Sequence, residues 1–293
     1  MSTTFRKAAS LAAVAALALG AAACGDDDDT GGGDDGGKVD TGNAAPPTLQ
    51  FTVSEQGKKA TLTPPTDAKS GVVKISLKNE GKKVHEAQIV RVTGGQSAAE
   101  VIKAVGSEEG APIPDWIEDG GGVGTVEPGR TGEVIQDLEP GDYVAFDQQS
   151  DKPISAEFTV GDDESDADFP ETDATITASE YKFETSGLKA GDNIITFENT
   201  GKELHHAVIL PIRPGATFAD ARKFLSSENG DEEKQPPVDF EGGVFTAVID
   251  GGVKQVTRIP MQAGKYAFVC FISDRAGGPP HVAKGMISEV DVK

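Results

Sequence analysis

Asn199–Leu210 reads NTGKELHHAVIL, and Asn79–Val90 reads NEGKKVHEAQIV. Asn, Gly, Lys, His, Ala and two aliphatic residues recur in register. The likeness continues on both sides. Each copy is followed by a short helical pattern, Ser97–Val105 and Thr217–Leu225, and then by Gly-Gly-Val at Gly121–Val123 and Gly242–Val244. A turn on Pro140-Gly141 or Ala263-Gly264 then leads into an aromatic strand, GDYVAFD or GKYAFVC. Self-similarity sustained through several elements marks two copies of one unit.

The units read as β. ISLKN, NIITFEN, VKQVTRI, KYAFVCF and ISEVDV are short runs rich in β-branched and aromatic residues, with Gly, Pro, Asn and Asp clustered between them. Seven or eight such runs in each half predict an all-β chain of two tandem Greek-key β-sandwiches, each with a short helix insertion. The expected units are residues 48–160 and 174–293. Strand alternation puts Tyr266, Phe268 and Cys270 on one face, Cys270 last, where the sheets open onto loops.

The remaining segments read as address and spacer. Residues 1–23 carry Arg6 and Lys7, the apolar run Leu11–Gly20 and small residues before Cys24, the pattern of a secretory signal. The run is too short to span a bilayer. Cys24 after these small residues resembles the lipobox of bacterial lipoproteins, which implies lipidation of its thiol and attachment to the outer face of the cell membrane; without it the chain is secreted. The net charge of −21 is concentrated in spacers. Residues 24–47 hold seven Asp against one Lys, and residues 161–173 hold five Asp and two Glu with no base. Such Gly/Asp-rich runs read as solvated tethers, and the charge disfavours binding to nucleic acid.

Export shapes the reading of the second cysteine. Outside the cytoplasm, disulfides are the ordinary use of Cys, yet Cys270 has no partner in the chain beyond Cys24. An odd thiol is buried and inert, bridged between molecules, or bound to something. It stands in CFISDRAGGPPHVAKGM (Cys270–Met286) with one of only four histidines and one of only three methionines.

Three pieces of the second half resemble the cupredoxins, the small blue copper proteins. NTGKELHHAV is similar to the strand that supplies their first histidine ligand, GKYAFVC to the strand that supplies the thiolate, and HVAKGMISEVDV to the His-x4-Met loop and closing strand. The resemblance covers most of residues 174–293. It implies a site for one copper ion built from His205, Cys270, His281 and Met286, and an electron-transfer role with redox partner proteins in the cell envelope. Two imidazoles, a thiolate and a weak thioether suit both copper oxidation states partly and neither fully. His206 faces away from His205 on a strand and is expected to hydrogen-bond near the surface or beside the site, with a role as the alternative ligand kept open.

The resemblance is thinnest at spacing, since ten residues separate Cys270 from His281, more than blue copper loops carry. Gly277-Gly278 can make the reversal and Pro279-Pro280 stiffen the approach to His281. His281 is expected to reach the surface, with Gly277–Pro280, Val282 and Ala283 forming a small apolar rim for a partner. In the first half Asp147 stands where Cys270 does, and only His85 remains; two ligands make a poor metal site, so His85 reads as a structural histidine and the first half as a spacer or docking module. Copper capture without redox shuttling, and a metal-free interaction module, are the rival functions. A copper oxidase or nitrite reductase would need further histidines, and the chain has no His-x-His or Cys-His pair.

Overall fold

The computed structural model describes residues 44–107, 110–150, 152–227 and 235–293. The expected signal segment, Cys24 and most of the first acidic tether lie outside these described residues. No helix among the described residues is long and apolar enough to cross a membrane.

The first half contains β1 (Thr48–Gln56), β2 (Lys59–Thr63), β3 (Ala68–Asn79), β4 (His85–Val92), α1 (Ala98–Val105), β5 (Ile117–Val126), β6 (Thr131–Leu138), β7 (Gly141–Asp147) and β8 (Ile154–Ser165). The second contains β9 (Ala174–Ser179), β10 (Lys182–Ser186), β11 (Gly191–Asn199), β12 (Val208–Pro211), α2 (Phe218–Leu225), β13 (Val244–Phe245), β14 (Lys254–Met261), β15 (Gly264–Val269) and β16 (Ile287–Val292). Strands pair in the order β2-β1-β3-β6 and β8-β7-β4-β5 in the first half. In the second the orders are β10-β9-β11-β14 and β13-β12-β15-β16, element for element the same. The chain is all-β, built as Greek-key sandwiches with one short helix in each half.

Alternation explains the two faces of each inner sheet. Ile209, Tyr266, Phe268 and Cys270 point into the sandwich, against Ile176, Ile195 and Phe197 of the facing sheet. Their neighbours Val208, Leu210, Ala267 and Val269 point outward and are covered by Ala221 and Leu225 of α2. Both helices begin where the helical patterns begin, with Ser97 and Thr217 as N-caps. Glu100 accepts from the Ser97 N–H at 2.8 Å, and Asp220 from the Thr217 N–H at 2.9 Å, satisfying N–H groups a helix start leaves unpaired.

The quoted stretch is a turn that delivers a histidine. Buried Asn199 donates to the carbonyls of Glu203 and Ile249, and its Oδ1 accepts from the Gly201 N–H. Asn79 does the same to Lys83, Val126 and Gly81. A Cβ on Gly81 would stand 2.9 Å from His85 Nε2, so a side chain there would collide with the ring the turn presents.

Two findings differ from the sequence-based expectations. The stretch expected as spacer from Gly161 continues β8 as far as Ser165, because Gly161, Glu164 and Ser165 pair with Lys69, Ser70 and Gly71 across a bulge. The halves also share a sheet: β14 pairs with β6 through Gln255–Thr257 and Val134–Gln136. Buried Gln255 donates to Gln136 Oε1 at 2.7 Å, and Gln88 exchanges two bonds with the Val248 backbone.

Candidate metal centre

His205 arrives at the end of the Asn199 turn, where its N–H and C=O both pair with Ile249. That pairing turns its ring inward. Cys270 ends the run from β15, its N–H bonded to the Met286 carbonyl. His281 returns from the long loop, with its N–H on the Ile272 carbonyl and the Val282 N–H on the Cys270 carbonyl. Met286 follows, its N–H on the His281 carbonyl, and packs in the same core cluster as Cys270. All four are fully buried.

His205 Nδ1 lies 3.1 Å from His281 Nδ1, and Cys270 Sγ lies 3.8 and 3.6 Å from these two nitrogens. This is the one group of three or more metal-ligating His, Cys, Asp or Glu side chains within mutual reach among the described residues. The three distances define a triangle whose centre is about 2 Å from every corner, the length of a metal–imidazole bond and slightly under a metal–thiolate bond.

The protonation states agree with that arrangement. Asp274 Oδ1 lies 2.9 Å from His281 Nε2. A carboxylate only accepts, so Nε2 carries the proton and Nδ1 turns its lone pair to the centre. His205 Nδ1 faces His281 Nδ1 at 3.1 Å and its Nε2 has no partner, so His205 turns a lone pair to the centre in its Nε2–H tautomer. Burial and the neighbouring His281 pull His205 down to about 4. Burial also lowers His281, against the opposing pull of Asp274. Burial pushes the Cys270 thiol up to about 11. The centre is therefore a set of neutral donors around a small gap, an arrangement suited to a soft or borderline cation.

The equivalent place in the first half has the opposite electrostatics. His85 Nδ1–H donates to Asp147 Oδ2 at 2.5 Å and Nε2–H to Glu55 Oε1 at 3.0 Å. Burial lowers its pKa, but the two carboxylates outweigh that and raise it above the ordinary value. The imidazolium is itself the buried cation there. Both ring nitrogens are satisfied by carboxylates.

Of the roles the sequence left open for His206, the structure shows a hydrogen bond beside the site: its Nε2 accepts from the Phe271 N–H at 2.9 Å, next to Cys270. The expectation that His281 reaches the surface is overturned. Asp274 caps its outer nitrogen, Tyr181 packs edge-on at 5.2 Å between ring centroids, and Lys284 binds both Asp274 and the Tyr181 hydroxyl. The expected apolar rim is met only in part: Val282 is buried and Gly277 packs against Gly110 of the first half, while Gly278, Pro279 and Ala283 are exposed. Asp274, Tyr181 and Lys284 were missed from sequence. Tyr181 has φ +61°, a left-handed conformation that costs a non-glycine residue about 1 kcal/mol and holds its ring over His281.

No family model matches the chain, and no curated protein sequence does. Among solved structures, it is similar to reduced auracyanin from Roseiflexus castenholzii at 18% identity, over 41% of this chain and 94% of that one, with a TM-score of 0.26. Rusticyanin from Thiobacillus ferrooxidans matches at 23% identity over 41% and 76%, with a TM-score of 0.23. A multicopper oxidase matches at 13% over 84% and 88%, with a TM-score of 0.22. Scores this low carry no weight for function, which rests on the side chains themselves.

Proposed function

We propose that the chain is an exported copper electron-transfer protein of the cupredoxin type, its second half holding one copper ion and its first half a copy that has lost the site. The observation that carries this reading is the convergence of His205 Nδ1, His281 Nδ1 and Cys270 Sγ on a point about 2 Å from each. In this reading Met286 would offer its thioether to the same ion, and His206 orients the backbone beside Cys270 rather than binding metal. Bound copper supplies a one-electron couple whose two states both accept imidazole and sulfur. Asp274 fixes the His281 tautomer, and the buried sandwich excludes water. Cys24 anchors the chain to the outer face of the membrane, and its redox partners are envelope proteins. It carries electrons rather than turning over a substrate.

Titrating the full chain with Cu(II) tests the proposal. The expected result is an intense visible thiolate-to-copper band that saturates at one ion and is lost in Cys270→Ser. A colourless complex, or colour that survives C270S, overturns it. The complete burial of His281 favours a second reading, in which the same donors capture Cu(I) without shuttling. Reversible cycling at an electrode supports electron transfer, and tight Cu(I) binding without cycling supports capture.

A further inference from the structure

The ten residues between Cys270 and His281 fold back as a hairpin. Ser273 bridges Pro280, and the Gly277 N–H donates to the Asp274 carbonyl at 2.8 Å to close the tip. Two adjacent tip residues face opposite ways. Asp274 turns inward, accepting from His281 Nε2 and from the Tyr181 hydroxyl at 3.0 Å. Arg275 turns outward onto the other half of the molecule. Its guanidinium donates to the Ile117 carbonyl of the first half at 2.8 Å and pairs with Asp250 of its own half, while its own carbonyl accepts from the Ile113 N–H at 2.8 Å. A third bond across the halves runs from the Gly278 N–H to the Gly110 carbonyl at 2.9 Å.

The backbones meet without room for a side chain. A Cβ on Gly110 would stand 2.4 Å from the Gly278 carbonyl oxygen, and one on Gly277 would stand 2.5 Å from the Gly110 oxygen. Gly110 also has φ +76°. A solvated surface loop leaves its backbone groups to water. This one satisfies them on a segment more than a hundred residues away in sequence.

We infer that Gly110–Ile117 of the first half is a clamp on the metal-ligand loop, and that Arg275 is a positioning residue for His281. It acts through Asp274: while the first half grips Arg275 and Gly278, the neighbouring carboxylate is held against the His281 ring. The extra loop length is the reach needed for that grip. The first half then serves the site by holding it. Naming the ligand loop rests on the proposed copper reading, whereas the grip is a property of the metal-free chain.

The test uses the metal-free full chain first. In Arg275→Ala the amides of His281 and Val282 should exchange with solvent about tenfold faster or more, since local opening no longer has to break the tip contacts. The His281 Nε2 ring proton, seen by NMR while Asp274 holds it, should be lost to exchange. Gly110→Ala, made in the other half, should reproduce both effects. Arg275→Lys keeps the charge facing Asp250 but not the fork onto the carbonyls, and should recover part of the protection. Arg213→Ala, which removes the pair with Asp239 within the second half, should change neither. Copper release from the loaded chain to a chelator should accelerate in R275A and G110A alike. Unchanged amide exchange and an unchanged ring proton in both variants overturn the clamp. A chain that binds no copper refutes the functional proposal instead, and leaves these metal-free readings to decide the clamp. If R275A does not fold, G110A and Arg275→Lys carry the same comparison.

Discussion

Replacing His85 by Ala should unfold the first half far more easily while leaving the metal centre intact. His85 and Asp147 are both fully buried and share a bond of 2.5 Å. Breaking a buried ion pair from one side costs about 3–5 kcal/mol, because the other charge is left without its partner. Asp147 keeps bonds from the Gln149 N–H and the Ser150 hydroxyl, and Glu55 sits near enough to the surface to find water. The expected loss is therefore at the low end, about 3 kcal/mol. Trp116, the sole tryptophan, lies in the first half and reports its unfolding by fluorescence. With an m-value of about 1.5 kcal/mol/M, the urea midpoint should fall by about 2 M. The pH dependence has a definite sign. The carboxylates raise His85 above its unfolded value, so its stabilisation is complete below about pH 6.5 and is lost as pH rises through the folded value. The gap between wild type and H85A should thus be wide at pH 6 and narrower at pH 10. Removing both partners in His85→Ala/Asp147→Ala should recover much of the loss. A midpoint shift below about 0.5 M, an equal shift at both pH values, or restoration of stability by added Cu(II) would refute this account of the first half.

Other outcomes follow from the second half. Asp274→Ala leaves the His281 Nε2–H buried and unpaired, which should cost about 1–3 kcal/mol and speed copper release about 10- to 100-fold, read by chelator competition. Phe268→Ala empties the centre of the second core and should cost about 3–5 kcal/mol in urea unfolding. Because burial raises the Cys270 thiol to about 11, copper binding near pH 7 should release about one proton, measurable by calorimetry in buffers of different ionisation heat. Affinity should weaken as pH falls, most steeply toward about 4, where His205 protonates.

Much of this architecture is legible in the residues, for identifiable reasons. The Asn79–Val90 and Asn199–Leu210 stretches and the short helices after them are local elements, so the repeat places them and the structure reproduces them. The choice between His205 and His206 follows from strand alternation, since neighbours face opposite ways. The convergence of His205, Cys270 and His281 is legible because strand order brings distant runs together once the sandwich is assumed. The burial of His281 is not. It depends on Asp274, Tyr181 and Lys284, which come from a loop tip, a hairpin turn and the ligand loop itself. The grip of Gly110–Ile117 on Arg275 and Gly278 is hidden for another reason. It runs mostly through backbone carbonyls and amides, which every sequence carries alike. The shared sheet between β6 and β14 is concealed in the same way, although the buried Gln136 and Gln255 mark it once the strands are side by side.

X-ray absorption at the copper edge on the fully loaded chain tests the central claim most directly. The expected spectrum shows one copper per chain with two nitrogen ligands at roughly 2.0 Å and one short sulfur ligand at roughly 2.2 Å, and His85→Ala leaves it unchanged. A copper shell of oxygen and nitrogen without sulfur, or a second equivalent that depends on His85, would contradict it.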